Sequence, residues 1–248
     1  LTKVGIYALF RTFTLMFPLN QDVTHLLIGI MAGVTIVAGC MGALSGRDVR
    51  TIATYNVIIG VGFILIGLAS GTETGFAGAI YYLVHDMLAK ALLFLILGTV
   101  VYVTGETIVK NMSGLIRNYP LFGWIYFLVM CALAGIPPLS GFLGKVLIGQ
   151  GAIEGENYVL LTLGFASSVI VLYSLLRIFL ASFFGETTIS EADKKPIPKL
   201  AMVSFALLAI IIISIGIAAE GIAPFVEDAA RTLANPSIYI EAILGDME

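Results

Sequence analysis

An all-α fold, a polytopic transmembrane helical bundle, is predicted by three observations. Hydrophobic residues make up 59% of the 248 and charged residues only 12%, with a mean hydropathy of +1.03. A soluble domain carries about 25% charged residues, so the solvent for this surface is lipid. Seven apolar segments approach the roughly 20 residues that a spanning helix needs. One of them carries Gly135-Ile136-Pro137-Pro138, and two adjacent prolines remove helical donors and clash with the turn before them.

The seven segments are Leu1–Phe17, His25–Leu44, Thr51–Ser70, Phe76–Thr104, Leu121–Gly149, Tyr158–Ala181 and Leu200–Ala219. The chain begins at Leu1 rather than Met, and its first helix is expected to be already under way. Leu1–Phe17 has no charged leading region and no small-residue cleavage site, so it does not read as a signal peptide. The fourth and fifth segments exceed one perpendicular span and are expected to tilt, bend or break. For the fifth, the break is placed at Pro137 and Pro138. Free carbonyls there are tolerated only inside protein or beside a water-filled cavity.

Basic residues set the orientation. Arg47 and Arg50, then Lys110 and Arg117, then Lys194, Lys195 and Lys199 lie in alternate loops, and the loops Leu19–Thr24, Gly71–Gly75 and Gly151–Asn157 carry no Lys or Arg. The three basic loops are therefore expected to be cytoplasmic. Residues 1–219 form the transmembrane domain in this reading, and 220–248 a polar extracytoplasmic tail whose Pro-Phe and Asn-Pro breaks argue against an eighth span. Tyr7-Ala8-Leu9-Phe10-Arg11-Thr12-Phe13 echoes Tyr173-Ser174-Leu175-Leu176-Arg177-Ile178-Phe179 at Tyr, Leu, Arg and Phe. By the loop charges these two segments run in opposite directions, as inverted transporter repeats do.

Two function classes are disfavoured by composition. No basic run is long enough to follow a phosphate backbone, which argues against a nucleic-acid partner. Cys40 and Cys131 fall inside apolar stretches and read as small packing residues, not as a disulfide or metal ligands. No nucleophile triad, phosphate-cradling loop or metal-ligand cluster is present in the pattern, and no cofactor is implied.

Chemistry is expected instead from ionisable residues inside the spans. Each charge at a helix centre costs about 2.5–3.5 kcal/mol on insertion scales, and such residues mark ion or proton paths. Lys145 follows Pro138 within Ser140-Gly141-Phe142-Leu143-Gly144-Lys145. Small neighbours leave room for a helix or for water, and burial favours the neutral amine, which opens proton exchange to it; the other reading is a lysine snorkelling from its helix end. His85, Asp86 and Lys90 share one apolar helix. Asp86 and Lys90 are four apart and can pair, whereas His85 is about 140° round from Lys90 and points elsewhere unless the helix bulges. Histidine exchanges protons near pH 7; the competing reading is a structural Asp–Lys pair beside a packed histidine. Lys3 lies on a stripe with Tyr7 and Arg11, either as a flanking lysine or at mid-helix if residues precede Leu1. Arg11 and Arg177 read as interfacial anchors, and His25 as a solvated loop residue.

The runs Lys3-Val4-Gly5-Ile6-Tyr7-Ala8-Leu9, Asp48-Val49-Arg50-Thr51-Ile52-Ala53-Thr54-Tyr55-Asn56, His85-Asp86-Met87 with Lys90-Ala91-Leu92-Leu93-Phe94-Leu95, and Ala134-Gly135-Ile136-Pro137-Pro138-Leu139-Ser140-Gly141-Phe142 with Lys145 occur in this order. Together they resemble the antiporter-like subunits shared by respiratory complex I, membrane-bound hydrogenases and Mrp-type Na+/H+ antiporters, from Lys3 to about Gly185. Tyr55-Asn56, His85-Asp86-Met87 and the Arg-Thr-Phe-Thr stretch from Arg11 are most similar to the D-type members of the Mrp branch. The resemblance implies fourteen helices built from two inverted five-helix repeats, with both termini outside. This chain would hold the last helix of the first repeat and all of the second. It implies a mid-membrane polar axis in which Lys3 closes the first repeat, His85 and Lys90 sit on the connecting helix, and Lys145 lies on the broken helix. Asp86 stands where some relatives have a second histidine, and its part is either relay or tuning of Lys90. The family's glutamate–lysine pair of the first repeat is not in this sequence, so the piece by itself is not expected to transport.

The function implied is a membrane subunit of a multisubunit Na+/H+ antiporter in the bacterial plasma membrane, a transporter and not an enzyme. Its partners would be the lipid bilayer, other antiporter subunits, H+ and Na+. Protons would pass along water and Lys3, His85, Asp86, Lys90 and Lys145. Two alternatives are a proton-pumping subunit of a redox-driven complex and a scaffold subunit with no transport role.

Overall fold

Helix boundaries in the computed structural model follow the apolar segments, with side-chain N-caps at Asp48 and Thr72. Residues 2–16, 21–186 and 195–245 are described; Leu1, Phe17, Lys194 and residues 246–248 lie outside them. In chain order the helices are α1 (Thr2–Leu15), α2 (Gln21–Ser45), α3 (Val49–Ala69), α4 (Glu73–Thr104), the single turn α5 (Leu115–Asn118), α6 (Pro120–Ala134), α7 (Ser140–Glu154), α8 (Tyr158–Phe183), α9 (Lys199–Ile217), α10 (Ala223–Ala234) and α11 (Pro236–Leu244). No strand is present among the described residues, only one isolated bridge between Asp48 and Ile108.

Among the described residues, five helices (α2, α3, α4, α8 and α9) are long and apolar enough to cross a membrane alone. The fifth predicted segment is two 15-residue pieces, α6 and α7, separated where the prolines fall. Gly135 closes α6 in the left-handed region at φ +87°, a conformation that glycine adopts without steric cost. The fourth segment, in contrast, is not broken. α4 is one continuous helix of 32 residues, about 48 Å at 1.5 Å per residue. It starts three residues before Phe76, where Thr72 Oγ1 accepts from the Gly75 amide at 3.0 Å, and ends at Gly105 with φ +73°.

The three basic loops meet at one end of the bundle. Val49 N donates to Thr107 O and Val109 N to Arg47 O, both at 3.0 Å, which ties the first basic loop to the second. Tyr119 OH donates to Lys195 O at 2.6 Å and Lys195 Nζ to Tyr102 O at 3.3 Å, which ties in the third. At the opposite end Thr74 Oγ1 donates to Glu154 Oε1 at 3.1 Å, and His25 lies against Gly71. The tail returns to that same end. α10 buries Val226, Ala230 and Leu233, and Arg231 Nε sits 3.5 Å from Glu73 Oε1 at the start of α4.

α3 is the central rod, buried along most of its length, whereas α9 buries only Phe205, Ala209 and Ile212. Association of apolar helices in lipid rests on close packing, and here glycines permit it. A Cβ on Gly62 would lie 3.0 Å from Ala32 O, one on Gly67 2.5 Å from Gly75 O, and one on Gly78 2.5 Å from Ile148 N. These three contacts are backbone to backbone and join α2 to α3, α3 to α4, and α4 to α7. Gly216 does the same for α9: its Cβ would lie 2.5 Å from Pro138 O and 2.6 Å from Ser140 N. Tyr81 OH on α4 donates to Ile215 O at 2.7 Å beside it. Aromatic rings fill the other flank, with Tyr126 stacked on Phe179 at 5.6 Å and Phe122 against Phe183 and Phe205.

Arg177 serves the end of α2. Its guanidinium donates to Leu44 O at 3.0 Å and to Gly46 O, so it satisfies carbonyls left free at the end of α2.

Replacing Gly78 by Leu should destabilise the α4–α7 contact by about 1–3 kcal/mol, the usual range for overpacking. Gly98→Ala adds a methyl where nothing lies within 4 Å and should leave the melting temperature in detergent unchanged. Equal melting temperatures for the two variants would refute this account of the packing.

Candidate functional site

Five ionisable side chains converge on the middle of α4 and the start of α7. His85 and Asp86 are 0% exposed, Lys90 7% and Lys145 4%; Lys3 is more open. Charges so deeply buried persist only when paired or hydrogen-bonded, and each of these has a partner on a different helix.

Asp86 takes both lysines. Its Oδ2 accepts from Lys3 Nζ on α1, and its Oδ1 lies 2.9 Å from Lys90 Nζ one turn further along α4. One carboxylate thus sits between two ammonium groups. Lys90 Nζ also donates to Asn56 O on α3 at 2.7 Å. Asn56, itself buried, donates from its amide to Ile52 O at 2.8 Å and to Ser174 Oγ on α8 at 3.0 Å.

Lys145 closes the broken helix. Its Nζ donates to Leu133 O at 2.9 Å and Ala134 O at 2.8 Å, the last carbonyls of α6, and to Ser168 Oγ at 2.9 Å. The rings of Phe63 and Tyr82 lie 5.5 and 5.8 Å from it, within reach of a cation–π attraction. The negative end of a helix dipole favours a cation, so the break and the lysine stabilise one another. Of the two settings expected for the free carbonyls, inside protein or beside water, the structure shows the first, with Leu133 O and Ala134 O satisfied by a side chain seven residues beyond Pro138.

His85 faces the other way. Because α4 is regular, its imidazole points to α7, where Nδ1 lies 2.7 Å from Ser140 Oγ. Nε2 is directed at Gly141, whose Cβ would lie 2.8 Å from it. A narrow cavity lined by Asn56, Gly60, Tyr82, Asp86, Lys90, Lys145 and Ser168 joins the lysines. Its empty volume is about 280 Å³, little of it wide enough for a water, and His85 does not line it. Asp86 and Lys90 pair as their spacing suggests; Lys3 joins them through Asp86 and Lys145 through the shared cavity, while His85 contacts the helix break. Sequence reasoning does not single out the side chains of Asn56, Ser168 and Ser174; a lone polar residue inside an apolar span is the available signal.

Asp86→Asn leaves Lys3 and Lys90 facing each other without their anion. Breaking a buried pair costs about 3–5 kcal/mol, so the variant is expected to melt well below the parent in detergent. A melting temperature matching the parent's would show that the two lysines do not depend on Asp86.

Residues 1–171 match the family described as NADH:quinone oxidoreductase/Mrp antiporter, TM. The D-type Na(+)/H(+) antiporter subunit of Bacillus subtilis is 42% identical over 244 residues, which is 98% of this chain and 50% of that one. A chain of the Mrp complex from a Dietzia species superimposes with a TM-score of 0.91 at 25% identity, over 98% of this chain and 53% of its own length. A chain of respiratory complex I from Thermus thermophilus gives 0.83 at 26% identity, over 93% and 49%. The chain spans about half the length of the relatives it matches. A helical membrane bundle with a proline-broken helix and a buried Lys–Asp–Lys cluster, matched over most of its residues, belongs to the NADH:quinone oxidoreductase/Mrp antiporter transmembrane family.

Proposed function

We propose that this chain is the proton-carrying half of a D-type membrane subunit in a multisubunit Na+/H+ antiporter of the bacterial plasma membrane. The observation that carries the reading is the gathering of Lys3, Asp86, Lys90 and Lys145 into one buried cluster, three of them lining a single cavity. Burying so many charges lowers stability, and ionisable residues kept inside spans at that cost mark ion or proton paths. The similarity to the Bacillus subtilis Na(+)/H(+) antiporter chain supports Na+ as the exchanged ion and other antiporter subunits as partners.

In this reading a proton arriving at one lysine weakens the hold of Asp86 on the other, because one carboxylate cannot fully neutralise two ammonium groups. The freed proton moves by water entering the cavity when it widens. Lys145 releases or regains the α6 carbonyls as it discharges and recharges. His85, through Ser140, sits where motion of the break is felt first. Asp86 acts as a relay member in addition to tuning Lys90. The 0.83 superposition on a complex I chain supports a second reading, in which the same cluster pumps protons for a redox-driven complex.

Lys145→Ala and His85→Ala, each in the assembled full-length complex, should reduce Na+-driven pH change in everted vesicles by at least about tenfold, equivalent to ~1.4 kcal/mol of barrier. Normal exchange by both assembled variants would leave only a scaffold role. The tail 220–248 is assigned to the outer face. A cysteine at Ser237 in a background lacking Cys40 and Cys131 should react with an impermeant thiol reagent added outside intact cells; protection there with labelling only after lysis would reverse the topology.

A further inference from the structure

The ammonium of Lys90 ends where Gly60 has no side chain. A Cβ on Gly60 would overlap Lys90 Nζ and would lie 2.8 Å from Asp86 Oδ1 and 3.2 Å from Oδ2. This glycine differs in kind from Gly62, Gly67 and Gly78, where the added atom would meet backbone of a neighbouring helix. At Gly60 the space is filled by the charged ends of two side chains from α4.

The notch sets where the charge can go. It lets Nζ descend onto α3 and reach Asn56 O at 2.7 Å, with Val57 O at 3.4 Å. That turn of α3 is itself fixed, because the Asn56 amide holds Ile52 O and Ser174 Oγ. Lys90 is thus seated between an anion on its own helix and a carbonyl on the next one. Without the notch only the anion would remain within reach.

We propose that Gly60 and Asn56 are positioning residues for Lys90: the missing side chain of Gly60 forms the seat for its ammonium, and Asn56 supplies the acceptor and ties that seat to α8. This rests on the reading that Lys90 carries protons. The titratable groups around the seat are Asp86, His85 and Tyr82 on α4, Lys3 on α1 and Lys145 on α7.

Gly60→Ala is a clean test, since the atoms it displaces are flexible side-chain ends and α3 gains a better helix former. In the assembled full-length antiporter we expect normal complex yield, with the melting temperature lowered by no more than the loss of one charged hydrogen bond accounts for. Turnover should fall about tenfold with the half-saturating Na+ concentration little changed. The pH profile of exchange should be displaced by roughly one pH unit, the equivalent of one charged hydrogen bond. Gly98→Ala should match the parent in all four readouts. Gly62→Ala should lose activity only in proportion to lost complex, with an unmoved pH profile. A Gly60→Ala variant that behaves like either control overturns the proposal. A structure of the Gly60→Ala complex separates this claim from the transport reading. Lys90 Nζ should be found away from Asn56 O, and an unmoved ammonium refutes positioning. Normal exchange by Lys90→Gln would instead remove the proton-carrying role of Lys90, and with it the functional part of this proposal.

Discussion

A single carboxylate shared between two ammonium groups is the interaction on which the arrangement turns. Asp86 has no exposed surface, and among the described residues its ion-pair partners are Lys3 and Lys90. That requirement ties α1 to α4 directly and α4 to α3 through Lys90 and Asn56 O, in addition to the close packing by which apolar helices associate in lipid. It also leaves an excess of positive charge in the cluster. Such an excess is stable only while other acceptors share it, and the structure supplies them as carbonyls: Asn56 O for Lys90, Leu133 O and Ala134 O for Lys145.

Broken helices present a complementary difficulty. The end of α6 has carbonyls without amide partners, and Lys145 has a charge without a counterion among its hydrogen-bond partners. Each answers the other. A proline pair and a lysine that look like two separate anomalies in a hydropathy plot are two halves of one bonded unit. The same logic explains Arg177 at the end of α2, where a guanidinium and two free carbonyls meet near the membrane boundary.

Much of this is legible in the sequence, for identifiable reasons. Seven segments, the break at Pro137 and Pro138 and the joining of the three basic loops follow from hydropathy, backbone chemistry and charge bias, which depend little on tertiary context. The Asp86–Lys90 pair follows from four-residue spacing, and the divergence of His85 from a regular helix. What sequence cannot supply is the identity of partners across helices. The surroundings of Lys145 stay open in the sequence between a neighbouring helix and water because its acceptors are backbone atoms, which have no sequence signature. Arg177 reads as an anchor for the same reason. Gly60 resembles any other helix-packing glycine until the ammonium is seen in its place. For α4, length alone leaves tilt, bend and break open, and only the unbroken backbone removes the last.

The close seat of Gly216 against Pro138 and Ser140 has a mechanical implication. α9 is the least buried of the five candidate spans among the described residues, yet it touches the break main chain to main chain. Any loosening of the linker between α6 and α7 must push that outer rod sideways. A sideways shift of α9 is in turn passed through that main-chain contact to the proline linker between α6 and α7.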